Sequence, residues 1–145
     1  MNKSKISLLV SLCCFLLLGT SLLQAQEEVM GRWVTIDDDG VTKKSVVEIY
    51  KKDGKIYGKI VHLFDPSTPN PLCTKCFDDR KDQLIIGMDV IRGVEIKGEG
   101  DYGDGKILDP AKGKEYGCSM WEEDGKLKVR GWLSFVYRTQ TWIRE

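Results

Sequence analysis

From residue 126 the chain alternates charge and hydrocarbon: Lys126-Leu-Lys-Val-Arg-Gly-Trp132. Side chains of a strand point to opposite faces with period two. Lys126, Lys128 and Arg130 therefore belong to water, and Leu127, Val129 and Gly131 to a core. Glu123-Asp-Gly125 just ahead is a hairpin signal, and a β-rich run over 135–144 follows. The same grammar recurs back to residue 31, so antiparallel strands dominate the chain. No segment carries helical apolar periodicity, and residues 79–88 offer at most one turn.

Strands are expected over 31–36, 45–50 and 55–64, separated by turns at 37–40 and 52–54 that end in Gly40 and Gly54. The third of these places Ile56, Gly58, Ile60, His62 and Phe64 on one face, and Tyr57, Lys59, Val61 and Leu63 on the other. After a break over 65–83 the pattern resumes at 84–92 and 94–97. Four glycines in 98–105 predict a turn, 106–109 a short strand stopped by Pro110, and 115–122 another strand. Eight or nine strands joined mostly by tight turns form a meander, and a meander of this length closes into a barrel, which removes its unpaired edges.

The first 25 residues stand outside that pattern. Lys3 and Lys5 precede an almost unbroken apolar run over 6–18, followed by Thr20, Ser21 and the small Ala25. This is the three-part pattern of a secretory signal peptide, with cleavage expected after Ala25. The run is shorter than the ~20 residues of a membrane span. Cys13 and Cys14 sit inside it behind Leu12, where a lipoprotein site would want a small residue, and read as apolar filler. The expectation is an exported protein, periplasmic or secreted, with no stable membrane span after cleavage.

Residues 26–145 suffice for a single domain with one core. Without the two leader lysines the chain has 20 basic against 22 acidic residues, interspersed along the strands. No strong field points at nucleic acid.

Gly31-x-Trp33 opens the first strand, and the last carries Arg138, Trp142 and Arg144. A Gly-x-Trp entering a barrel, with an arginine of the last strand over the indole, resembles the lipocalin and fatty-acid-binding superfamily. The indole would plug one end and the guanidinium cover its face. Pro71, Ile86-Gly-Met88, Gly105-Lys-Ile-Leu-Asp-Pro110, Gly113-Lys-x-Tyr116-x-Cys118, Leu127-x-Val-Arg-Gly131 and Arg138-Thr-Gln-Thr-Trp142 together look like the bacterial family "domain of unknown function 2147". That resemblance implies a small exported all-β protein with a lipocalin-like barrel. It brings no established activity and no catalytic residue. Asp109-Pro110 and Gly113 read as hairpin chemistry.

The segment 65–83 is long for a meander, and long irregular loops are commonly functional. It holds a stiff proline-rich stretch and then Cys73-Thr-Lys-Cys76. A local Cys73–Cys76 disulfide suits an exported protein. Free thiols are a second reading, and a zinc site made with Cys118 and His62 a third. His62 needs a positioned partner for acid–base work, and no Gly-x-Ser-x-Gly, paired-His or phosphate-loop motif is present. No cofactor or metal is called for.

An eight-stranded barrel is just wide enough to be filled or to hold one small ligand. Binding of a small apolar ligand is the leading expectation, with Tyr57, Ile60, His62, Leu72, Phe77 and Trp121 as site candidates. In that reading the 65–83 loop roofs the mouth and turns Leu72 and Phe77 inward. A module docking an envelope protein through the same loop is the alternative from another class, and an enzyme the third.

Overall fold

The computed structural model describes residues 29–145; the expected leader, 1–25, lies outside the described residues. Eight strands follow one another: β1 (Gly31–Ile36), β2 (Lys43–Lys52), β3 (Lys55–Leu63), β4 (Asp89–Gly98), β5 (Asp101–Asp109), β6 (Lys114–Glu123), β7 (Lys126–Leu133) and β8 (Val136–Arg144). Each pairs antiparallel with the next, and β8 returns to β1, so the sheet closes as a barrel. The β2–β3 and β6–β7 turns are Asp53-Gly54 and Asp124-Gly125, with both residues of each at positive φ. That is the backbone that two-residue hairpins with the native twist require.

Two regions differ from the sequence reading by more than two residues. The runs at 84–92 and 94–97 are one strand, β4, which begins at Asp89 and continues through Gly93. The glycine-rich stretch 98–105 is not a turn as a whole. Only Glu99 and Gly100 separate β4 from β5, and Gly103 and Gly105 lie within β5.

Alternation along the strands fills the interior with Val47, Ile49, Ile56, Ile91, Met120, Leu127 and Val129, all nearly inaccessible. The barrel closes within residues 29–145, and its core cluster is described from the same residues. In an antiparallel meander the odd connections share one end. The β1–β2, β3–β4, β5–β6 and β7–β8 links therefore lie at one end of the barrel, and the other three links with both chain ends at the opposite one. Trp33 closes that second end. It is fully buried, its Nε1 donates to the Val29 carbonyl at 2.8 Å, and the Arg144 guanidinium lies 3.9 Å from the ring centroid. Arg144 Nη1 donates to the Met30 carbonyl at 2.6 Å, which ties the last strand to the segment entering the first.

Candidate functional site

The opposite end is open. A cavity of about 530 Å³ enters the barrel between the β1–β2 turn, the β5–β6 turn and the start of β8. Its depth is apolar: Val47, Ile60, Val90, Val129 and Trp142 line it. Two polar features interrupt that lining. Thr35 and Ser45, buried and facing each other across β1 and β2, share a hydroxyl–hydroxyl hydrogen bond of 2.8 Å, and the Ser45 amide donates to Thr35 Oγ1 at 3.1 Å. Thr35 Oγ1 also donates to the Ser45 carbonyl at 3.4 Å; with one donor and two acceptor positions per hydroxyl, what this pair retains is acceptor capacity. Gln140, one inward step from Trp142 on β8, accepts from the indole Nε1 at 3.1 Å.

The rim carries charge in matched pairs. Lys44 lies 3.5 Å from Asp37, Lys112 lies 3.4 Å from Asp109, and Arg138 is paired with Asp38. The Arg138–Asp38 contact spans a seam. Strands β1 and β8 pair only at Trp33–Arg144 and Val34–Ile143, and above those pairs they diverge. A second, polar groove occupies the divergence and shares Ile36, Asp37, Asp38, Arg138 and Gln140 with the cavity.

The long β3–β4 connection, residues 64–88, does not roof this mouth. No residue of 65–83 lines the cavity. The loop doubles back on itself through Cys73 N–H to Gln83 O (2.8 Å) and Ile85 N–H to Pro71 O (3.0 Å), and is held against the barrel wall. Arg80, only 2% exposed, is its anchor. Its guanidinium forks onto Asp78 (Nε–Oδ1 3.0 Å, Nη2–Oδ2 2.5 Å), reaches Glu115 of β6 at 2.6 Å and donates to the Asp89 carbonyl of β4 at 3.1 Å. Hydrogen bonds from Arg80 hold the Asp78 carboxyl down at about 2. On the far side of the loop a Cβ on Gly113 would lie 2.0 Å from the Lys75 carbonyl oxygen, so the β5–β6 turn admits only glycine beneath the loop.

Cys73 and Cys76 form a disulfide, and both are buried in the core cluster rather than on the loop surface. Their burial turns the flanking side chains outward. Leu72 is 50% and Phe77 65% exposed, which corrects the expectation that they face into the barrel. His62 is also displaced from its expected face. Val47 pairs with Ile60 but Val46 with His62, so β3 carries one extra residue there. A bulge of this kind reverses the alternation beyond it. Ile60 remains inside, while His62 is exposed and packs edge-on against Phe64 at 4.8 Å. Tyr57 stacks on Tyr50 (5.9 Å) and Trp121 lies under Arg130 (4.9 Å), both on the outer surface. Of the six expected site residues, only Ile60 lines the cavity.

The zinc reading has no assembled ligand set. His62 is on the outer surface, Cys73 and Cys76 are bonded, and Cys118 is buried in β6, where burial pushes its thiol up to about 12. A thiol held protonated in this way is a packing residue. Sequence reasoning passed over Thr35, Ser45 and Gln140. The signal was available, since each sits two residues from a core position (Trp33, Val47 and Trp142) on the same strand face.

Comparison with known proteins agrees with this geometry. A search of the curated proteins finds no match. Among solved structures, the chain is similar to one described as "Protein HP1028 from the human pathogen Helicobacter pylori belongs to the lipocalin family". The two share 19% identity over 81% of this chain and 82% of that one, with a TM-score of 0.70. At that identity the likeness is one of fold. The family model described as "Uncharacterized protein conserved in bacteria (DUF2147)" matches residues 31–144, every strand of the barrel. The chain is thus a lipocalin-like barrel that belongs to the DUF2147 family of bacterial proteins.

Proposed function

We propose that the protein is an exported binding protein that holds a small, mostly apolar ligand with a neutral polar group in its open cavity. The observation that carries this reading is the cavity itself. At about 530 Å³ it falls within the ~300–1,000 Å³ of small-molecule sites, and it has their usual composition, apolar with a few placed polar groups. The neutral group follows from the charges. Each rim cation already faces a carboxylate, so an anionic head gains little, whereas the Thr35–Ser45 pair can accept a hydrogen bond from a hydroxyl and Gln140 can exchange one with a hydroxyl or carbonyl. Export is supported by the basic–apolar–small pattern of the first 25 residues and by the Cys73–Cys76 disulfide, which suits an oxidising compartment.

The test is titration with an environment-sensitive apolar fluorophore, with and without Gly131→Val. A Cβ at Gly131 points among cavity residues, 3.6 Å from Tyr116 Cβ, so added methyls take up ligand space without a backbone clash. Saturable binding that weakens about tenfold or more in the variant, a change of ~1.4 kcal/mol, with an unaltered melting temperature, is the expected result. Absence of saturable binding to the wild-type protein would refute the reading.

A further inference from the structure

Ten large apolar side chains remain exposed among the described residues, and all ten belong to the connections, or to the strand ends beside them, that join strands at the mouth end of the barrel. Val41 is in the β1–β2 turn. Phe64, Leu72, Phe77 and Leu84 are in the β3–β4 loop. The others, Trp132, Leu133, Phe135, Val136 and Tyr137, make up the tip of the β7–β8 hairpin. Scattered exposed hydrophobics need no explanation, but segregation of this kind does. The closed end carries none of them.

From this we infer that the mouth end docks on the surface of a phospholipid bilayer, with the β7–β8 hairpin inserted. Three features select a lipid surface over a protein partner. The hairpin is a convex projection: Ser134 and Phe135 form its two-residue turn, and Phe135 is 91% exposed. A fluid phase accepts a projecting apolar tip of any outline, whereas a protein must supply a matching pocket.

The tip is also layered by polarity. Leu133, Phe135 and Val136 lead, Trp132 and Tyr137 stand one pair behind them, and Arg130 packs on the Tyr137 ring at 4.6 Å behind that. Aliphatic groups and phenylalanine ahead of a tryptophan–tyrosine level is the order in which a membrane boundary sorts side chains. Residues 131–137 contain no charge, and the cationic heads of Arg130 and Arg138 flank them.

Finally, the hairpin adjoins the cavity. Gly131 and Arg138, which bracket the tip, both line the cavity mouth. Insertion of the tip would set that mouth against the bilayer, where apolar molecules are concentrated. This inference stands on the exposed rim and does not depend on the cavity being occupied.

The test is co-sedimentation of the chain from Gln26 onward, which contains all eight strands of the closed barrel, with vesicles of zwitterionic phosphatidylcholine. The wild-type protein and the double variant Leu133→Asp/Phe135→Asp are compared at low and high salt. Both side chains are exposed, so the variant should melt with the wild type. We expect wild-type sedimentation that changes less than about twofold with salt, because no polybasic contact is involved, and a loss of about tenfold or more in the variant. No sedimentation of the wild type, or equal sedimentation of the variant, would overturn the inference. Sedimentation velocity supplies the other outcome: a wild-type dimer that dissociates in the variant, without vesicle binding, would reassign the tip to a second copy of the chain.

Discussion

Replacing Arg80 with methionine removes the guanidinium while keeping most of the side-chain bulk. Four consequences can be read from the structure. The fork onto Asp78 is lost, as is the 2.6 Å bond to Glu115, and the Asp89 carbonyl loses its donor. The fourth is repulsion, because Asp78 and Glu115 converge on the same guanidinium and would face each other without it. Removing one member of a buried ion pair typically costs ~3–5 kcal/mol. Here the two carboxylates are about a quarter exposed and can recover some hydration, so the cost falls at or just below the bottom of that range, about 2–3 kcal/mol. At ~4–8 °C per kcal/mol for a domain near this size, the melting temperature should fall by roughly 10–20 °C. Urea denaturation followed by tryptophan fluorescence measures the loss, and limited proteolysis at Lys75 and Lys81 tests whether the loop has been released. A midpoint displaced by less than about 0.5 kcal/mol, with unchanged cleavage, would show that Arg80 does not tie the loop to the barrel wall.

Trp33→Ala should destabilise by ~3–5 kcal/mol, the range for deleting a large buried aromatic; an unchanged denaturation midpoint would refute the plug at the closed end. The Asp78 carboxyl titrates at about 2 in the folded protein, below its ordinary 3.8. Its contribution is therefore present in full above about pH 4 and is lost as pH falls towards 2. Acid-induced loosening of the loop, read by proteolysis with an acid-stable protease, should begin in that window, and Asp78→Asn should remove the pH dependence.

The eight-stranded closure was legible because it rests on period-two alternation, which survives in nearly every strand. The misread parts share a cause. Gly103 and Gly105 looked like turn residues, yet a Cβ at Gly105 would stand 2.2 Å from Val94 Cγ2. That glycine answers to a neighbouring strand, which local sequence does not reveal. The bulge at Ile60–His62 leaves no mark on composition but moves His62 from inside to outside. The loop was the least legible part. Its outward Leu72 and Phe77 follow from burial of the disulfide, and its fixity from Arg80 meeting Glu115 across 35 positions. Nothing in the local sequence of the loop distinguishes an anchored flap from a lid.

The two-pair seam between β1 and β8 has a consequence for how the barrel forms. Every other ladder joins strands adjacent in sequence, and all of them except β3–β4, which spans the long 64–88 connection, can form as a hairpin with a short loop to close. The last ladder must bring Trp33 to Arg144 across nearly the whole chain. The entropy of closing a loop grows with its length, though only logarithmically. Contacts this distant in sequence slow folding more than they weaken the product. The natural order is therefore a ribbon of hairpins that curls first and is fastened last, by a cation over an indole and two rungs of backbone hydrogen bonds. Until that fastening is made, β1 and β8 are both free edges, and the interval before closure is when this chain is most exposed to pairing with another copy of itself.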